Sequence, residues 1–141
     1  NLHYVAAGAI SQPRQTDLPR RLHLIHRELL TIMREHAPNV VAVEDPFVAR
    51  NVKSALAIGQ AQAVALIAAA ELELPCFQYS PLKIKQMVTS FGGSDKAQVQ
   101  DMVRLQLGLA EAPEPHDAAD ALAAAICHVR ESHLNDLLAG R

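Results

Sequence analysis

The chain has 141 residues, half of them hydrophobic, and a formal net charge of −2. That length carries one domain with a core of its own, and aromatics at only 4% with no Trp leave Ala, Leu, Val and Ile to build it. So even a charge balance excludes a nucleic-acid partner announced by global basicity, and any such role must rest on basic residues gathered on one face.

Residues 2–10 hold Tyr4, Val5 and Ile10 and end at Ser11-Gln12-Pro13, the pattern of a strand leaving into a turn. Residues 18–36 place Leu18, Leu22, Ile25, Leu29, Ile32 and Met33 at spacings of three and four, which predicts an amphipathic helix with Arg20, Arg21 and Arg27 off its apolar stripe. Asn39-Val40-Val41-Ala42-Val43 is a β-branched run expected as a strand buried on both faces, with Glu44 ending it. From residue 51 or 52 to about 73 the chain predicts one long Ala-rich helix, apolar on more than one side. Residues 75–79 predict a short strand, 81–89 a helix, Phe91-Gly92-Gly93 a turn, and 94 or 95 to 107 a further helix with Ser94 as its N-cap. Ala112 to Pro115 is a proline-punctuated linker into a last helix. Alternating strands and helices indicate an α/β domain with a mixed sheet.

Cys76 and Cys127 stand far apart without a CxxC pair, which suggests neither a zinc ribbon nor a disulfide framework and leaves reduced thiols of a cytoplasmic protein. No apolar run is expected to be long and uniform enough to span a membrane, and no signal peptide opens the chain.

The last helix opens on Pro115-His116-Asp117-Ala118-Ala119-Asp120-Ala121-Leu122-Ala123. Residues at i and i+3 share a helix face, so Asp117 and Asp120 point into one small volume, where like charges repel unless something positive intervenes. A divalent metal is one answer. A plain acidic helix start facing the helix dipole is the other. Glu44, at the end of a strand, lies where ligand sites form in α/β sheets, although a carboxylate there is often only solvated. Three such oxygens are the donor kit for one or two Mg²⁺ ions, which in phosphodiester hydrolysis activate the attacking water and steady the leaving oxygen. His116, at i−1, points away from that face, and His23 and His26 lack a third ligand, so no histidine is assigned to a metal.

Five motifs then occur in order: Val43-Glu44-Asp45-Pro46-Phe47, Ser54-Ala55-Leu56-Ala57-Ile58-Gly59-Gln60-Ala61, Lys83-Ile84-Lys85-Gln86, Asp95-Lys96-Ala97-Gln98-Val99-Gln100, and His116 to Ala123. Together they resemble the crossover junction endodeoxyribonucleases, the RuvC-type Holliday-junction resolvases of the ribonuclease-H-like fold, from Tyr4 to about Arg130. The resemblance implies a mixed central sheet flanked by helices. It implies that Glu44, Asp117 and Asp120 ligate Mg²⁺, two ions per site with Mn²⁺ as a substitute. It gives Lys85 a catalytic place, and sets Lys83, Lys85, Lys96 and Arg104 against DNA, with Lys85 and Lys96 near the junction backbone and the cut phosphate. Phe47 resembles the family aromatic that contacts unpaired bases; folded onto the core, it would be only a loop aromatic. The implied partners are four-way junction DNA, a second copy of the chain joined through the helix from Val52, and a branch-migration helicase complex of the RuvA/RuvB type. The family's opening aspartate-bearing strand has no counterpart here, and the chain starts on Asn1, so residues 1–141 are expected to be one N-terminally incomplete nuclease domain. A non-catalytic junction-binding fragment and a ribonuclease-H-fold nuclease acting on RNA are the alternatives.

Overall fold

A computed structural model describes residues 1–46 and 51–141, so Phe47 lies outside the described residues. The chain forms two compact units, residues 10–78 and residues 1–9 with 79–141.

The unit of residues 10–78 begins with α1 (Leu18–His36), the span its apolar spacing predicts. Asp17 caps it, accepting from the Arg20 backbone N–H at 3.0 Å, and a proline occupies the first turn, where no helical hydrogen bond is lost. The stripe turns inward at Leu30 and Met33, which close on Ala68 with Leu29, Val41, Leu72 and Leu74 around them. Arg20, Arg21 and Arg27 are exposed, as expected.

Next come β1 (Val41–Glu44), α2 (Val52–Glu71) and β2 (Cys76–Tyr79). The two strands pair in a small parallel sheet, joined by α2 as a crossover. Two expectations are corrected here. Val41, Ala42 and Val43 are half-buried rather than covered on both faces, because β1 has one strand beside it among the described residues. Residues 2–10 form no strand, and Tyr4 and Val5 are exposed. Extended sequence becomes a strand only when a neighbour satisfies its backbone N–H and C=O groups, and no ladder forms there.

Asn51 caps α2, accepting from Ser54 N–H at 3.2 Å. The helix ends at Glu71, short of the expected residue 73, because Glu73 turns left-handed at φ 56°. Ala55, Val64, Ala68 and Ala69 are its buried face, while Val52, Leu56, Ile58 and Ile67 stay exposed. By length and composition α2 is apolar enough to cross a membrane, at mean hydropathy 1.4. That overturns the expectation of no such run: Gln60 and Gln62 interrupt the apolar sequence without adding charge.

In the other unit α3 (Pro81–Thr89), α4 (Lys96–Leu107) and α5 (His116–Leu138) pack on one another. Ser80 caps α3 through Lys83 N–H at 3.1 Å. The cap of α4 is Asp95, not Ser94: Asp95 accepts from Gln98 N–H and Gln98 Oε1 accepts from Asp95 N–H, both at 2.8 Å, a reciprocal capping box. Ser94 is instead buried, its hydroxyl spent on the preceding turn. α5 presents Ala118, Ala119, Ala123 and Ala124 with Ile126 and Cys127 to the core, and Ile84, Val88, Val99 and Val103 are buried on α3 and α4. Alanine on the central helix lets its neighbours approach closely without losing dispersion contacts. Both cysteines are free; Cys127 is buried, whereas Cys76 is half-buried.

Candidate metal and nucleic-acid site

Asp117 lies in the first turn of α5 and Asp120 one turn on. Between them Ala118 and Ala119 are about 1% exposed, so the turn that carries both carboxylates is seated in the core. The positive group beside the pair is an ammonium: Lys96 Nζ, from the first residue of α4, lies 3.2 Å from Asp120 Oδ2. Just before the pair, His116 Nδ1 bonds the Gln100 amide on α4.

The four predicted DNA-facing cations differ in their surroundings. Lys83 Nζ pairs with Glu131 Oε1 at 2.8 Å. Arg104 is held by Asp101 one turn back, at 2.9 and 3.1 Å from Nη2 and Nε. Lys96 pairs with Asp120. Lys85, half-buried on α3, has no acidic partner among the described residues. An ammonium without a carboxylate keeps its full attraction for an incoming phosphate.

Sequence reasoning missed a polar network on the same unit. The Tyr79 hydroxyl bonds His128 Nδ1 at 2.7 Å, and the phenol is pushed up to about 12, by burial first and by the neighbouring Glu131 carboxylate next. Hydrogen bonding from Lys83 leads the causes that hold Glu131 below the usual carboxylate value. The i, i+3 spacing of His128 and Glu131 marks a shared helix face, but nothing local pointed to Tyr79, 49 residues away.

In the unit of residues 10–78, Glu44 is the last residue of β1 and is exposed. The strand end is anchored from α2, where Gln62 Nε2 donates to Asp45 Oδ1 at 2.9 Å and to the Glu44 carbonyl at 3.4 Å. Among the described residues no three His, Cys, Asp or Glu side chains gather as a metal-holding group. The Asp117–Asp120 pair nevertheless fits magnesium by its chemistry, since that ion takes hard oxygens, often from only one or two carboxylates, and fills its octahedron with waters and substrate phosphate.

The family model described as crossover junction endodeoxyribonuclease RuvC matches residues 1–128. A relative so named from Dehalococcoides mccartyi is 51% identical over 127 residues, 90% of this chain and 76% of that protein. One from Chloroflexus aggregans is 47% identical over the same length, covering 90% and 77%. The solved RuvC structure of Thermus thermophilus superposes with a TM-score of 0.86 at 33% identity, covering 94% of this chain and 80% of that one. The same protein in complex with Holliday junction substrate gives a TM-score of 0.88 and covers 94% and 81%. These neighbours have the ribonuclease-H-like fold, the α/β class expected from the order of elements, and their family is one of metal-dependent nucleases. By family model, by relatives and by fold, the chain belongs to the crossover junction endodeoxyribonuclease RuvC family.

Proposed function

We propose that this chain is a structure-selective DNA endonuclease that resolves four-way junctions in recombination and repair by symmetric phosphodiester hydrolysis. Residues 1–141 act as a single nuclease domain, in the cytoplasm and as a homodimer, on junctions handed over by a RuvA/RuvB-type helicase complex. The observation that carries it is the aspartate pair of α5 with the Lys96 ammonium 3.2 Å from Asp120, inside a chain matched to the family over residues 1–128.

Glu44, Asp117 and Asp120 are the residues that would hold Mg²⁺, two ions per site, with Mn²⁺ able to substitute. When bound, such ions supply a water of lowered pKa and Lewis-acid stabilisation of the leaving oxygen. The chain's own residues do the positioning. Lys85, unpaired with any acid among the described residues, holds the phosphate and offsets the charge that develops in the transition state. Lys96 balances the carboxylates until a strand arrives and then shares its N–H donors with the scissile phosphate. Lys83 and Arg104, each already paired with a carboxylate, contribute less to DNA binding than Lys85 does. Phe47 contacts an unpaired base near the crossover.

The test is cleavage of a synthetic four-way junction with Mg²⁺ by Glu44→Gln, Asp117→Asn and Asp120→Asn variants. Each is expected to lose roughly 10²-fold or more in cleavage rate while still binding the junction, and chelation of the metal should stop cutting in the unsubstituted chain. Retained cleavage in all three variants overturns the assignment. Binding by the unsubstituted chain without any nick identifies a non-catalytic junction-binding protein.

A further inference from the structure

Phe91 sits in the turn between α3 and α4 and is 64% exposed, yet both its backbone N–H and its carbonyl are hydrogen-bonded. Its N–H donates to Thr89 Oγ1 at 3.1 Å. Its carbonyl accepts from Ser94 Oγ at 2.7 Å and from Ser94 N–H at 3.2 Å. Ser94 is 4% exposed and shares a 2.6 Å hydrogen bond with Thr89. The ring is therefore aimed by a fixed frame, not left on a frayed loop.

The two glycines of the turn make room for it. A Cβ on Gly93 would lie 2.8 Å from Phe91 Cζ and 3.0 Å from Cε1, so the tip of the ring rests over the Gly93 backbone. A Cβ on Gly92 would meet Leu82 Cδ1 at 2.9 Å, which places the turn down on α3. Both glycines have ordinary negative φ; they are small because something lies close, not because the backbone is left-handed.

We propose that this turn is a rigid platform whose Phe91 ring stacks on a nucleobase of the bound DNA strand. The inference rests on the nuclease reading above and adds a contact to the same site. Charge selects the occupant. Thr89, which holds Phe91, also bonds the carbonyl of Lys85 at 2.7 Å, and Lys85 carries an ammonium with no acidic partner among the described residues. Lys96 follows five residues after Phe91, at most ~18 Å along the chain, and reaches Asp120. An exposed ring on the turn between two lysine-bearing helices matches a nucleotide strand, base on ring and phosphate on lysine, and such stacking tolerates any base sequence. A strand whose phosphate lies at Lys96 passes the ring within about five stacked nucleotides.

The experiment uses four-way junctions carrying 2-aminopurine at successive positions around the cut, with the unsubstituted chain, Phe91→Ala, Phe91→Leu, Phe91→Trp and Gly93→Ala. The unsubstituted chain should quench one label position. Phe91→Ala should lose that quench and bind the junction about tenfold more weakly. Phe91→Trp should restore both, and Phe91→Leu should resemble the alanine variant because it returns bulk without a π-face. Gly93→Ala should push the ring aside, reducing the quench without lowering the melting temperature. Quench and affinity unchanged in Phe91→Ala, or fully rescued by leucine, overturn the stacking role. Asp117→Asn separates the two claims: it should stop cutting and keep the quench. Binding and quench by the unsubstituted chain without cleavage overturn the nuclease reading alone, and failure to bind any junction overturns both.

Discussion

Tyr79 carries a charge balance of its own within the acidic and basic residues of its unit. Its hydroxyl bonds His128 near the Glu131 carboxylate, Lys83 pairs with Glu131 at 2.8 Å, and Cys127 lies beside the group. The phenol rises from 10.0 to about 12, chiefly by burial, and the Cys127 thiol from 9.0 to about 11, also chiefly by burial. The Glu131 hydrogen bond leads the causes that raise Lys83, and the reciprocal bond leads those that lower Glu131 below 4.5. A group whose folded-state pKa is raised contributes stability that is complete below its unfolded value and lost as pH climbs through the folded one; a depressed carboxyl contributes above its unfolded value and loses it on acidification. Thermal stability is therefore expected to hold level between about pH 5 and 9. It should then decline from 9.0 to about 12, Cys127 first and Tyr79 after it, with an acid decline starting below 4.5 from Glu131. Tyr79→Phe should lower the plateau, because His128 loses its hydroxyl partner, and flatten the part of the alkaline decline between 10.0 and about 12. Circular-dichroism melts across pH check it, and an alkaline limb that Tyr79→Phe leaves unchanged refutes the account.

α5 stands between α3 and α4 on a face of alanines, and that face sets how closely the acidic pair and its lysine meet. Ala123 is 1% exposed, so Ala123→Leu inserts three carbons into a filled space and should cost about 1–3 kcal/mol. Ala125→Leu, on the exposed side, should change stability by less than about 0.5 kcal/mol. Urea unfolding of the two variants measures the difference, and equal midpoints would mean that α5 is not packed as described. What sequence alone revealed follows the same division between local and distant. α1 and α3 were legible to the residue because their caps and prolines act within one turn, and the Asp117–Asp120 spacing needed only helix geometry. The strand expected at residues 2–10 was not, since a strand exists through a partner far away in sequence. Ser94 and Asp95 are both cap residues, but Asp95 alone has a Gln three residues on to complete a capping box, and Ser94 is taken up by its buried contact with Thr89. The pairing of Lys96 with Asp120 and of Lys83 with Glu131 joins different helices, and no local pattern announces it. The family resemblance already gives Lys85 a catalytic place; that it lacks an acidic partner among the described residues comes only from those pairings.

Across the molecule, α2 carries an uncovered apolar face among the described residues. One face closes on α1 and β1 through Ala55, Val64, Ala68 and Ala69, while Val52, Leu56 and Ile67, spaced at near-multiples of a helical turn, remain exposed. Gly59 and Ala63 lie between them, and small residues let a second backbone come close. Leu56 is 62% exposed, and burying such a side chain contributes about 1.5–3 kcal/mol, so a stripe of this kind asks for cover. In the proposed homodimer the cover is the same stripe on a second copy, since a two-fold interface sets one patch against itself. A charge placed at its middle then appears twice, facing its own image. Leu56→Arg should therefore convert a dimer into a monomer in sedimentation at micromolar concentration, with the melting temperature nearly unchanged because the residue is outside the core. Junction cutting should change character as well: with the two sites no longer held together, single nicks should accumulate ahead of the paired cuts that give linear duplexes. A Leu56→Arg protein that still sediments as a dimer and still cuts in pairs places the interface elsewhere, and co-flotation of the unsubstituted chain with lipid vesicles would assign the α2 stripe to a membrane instead.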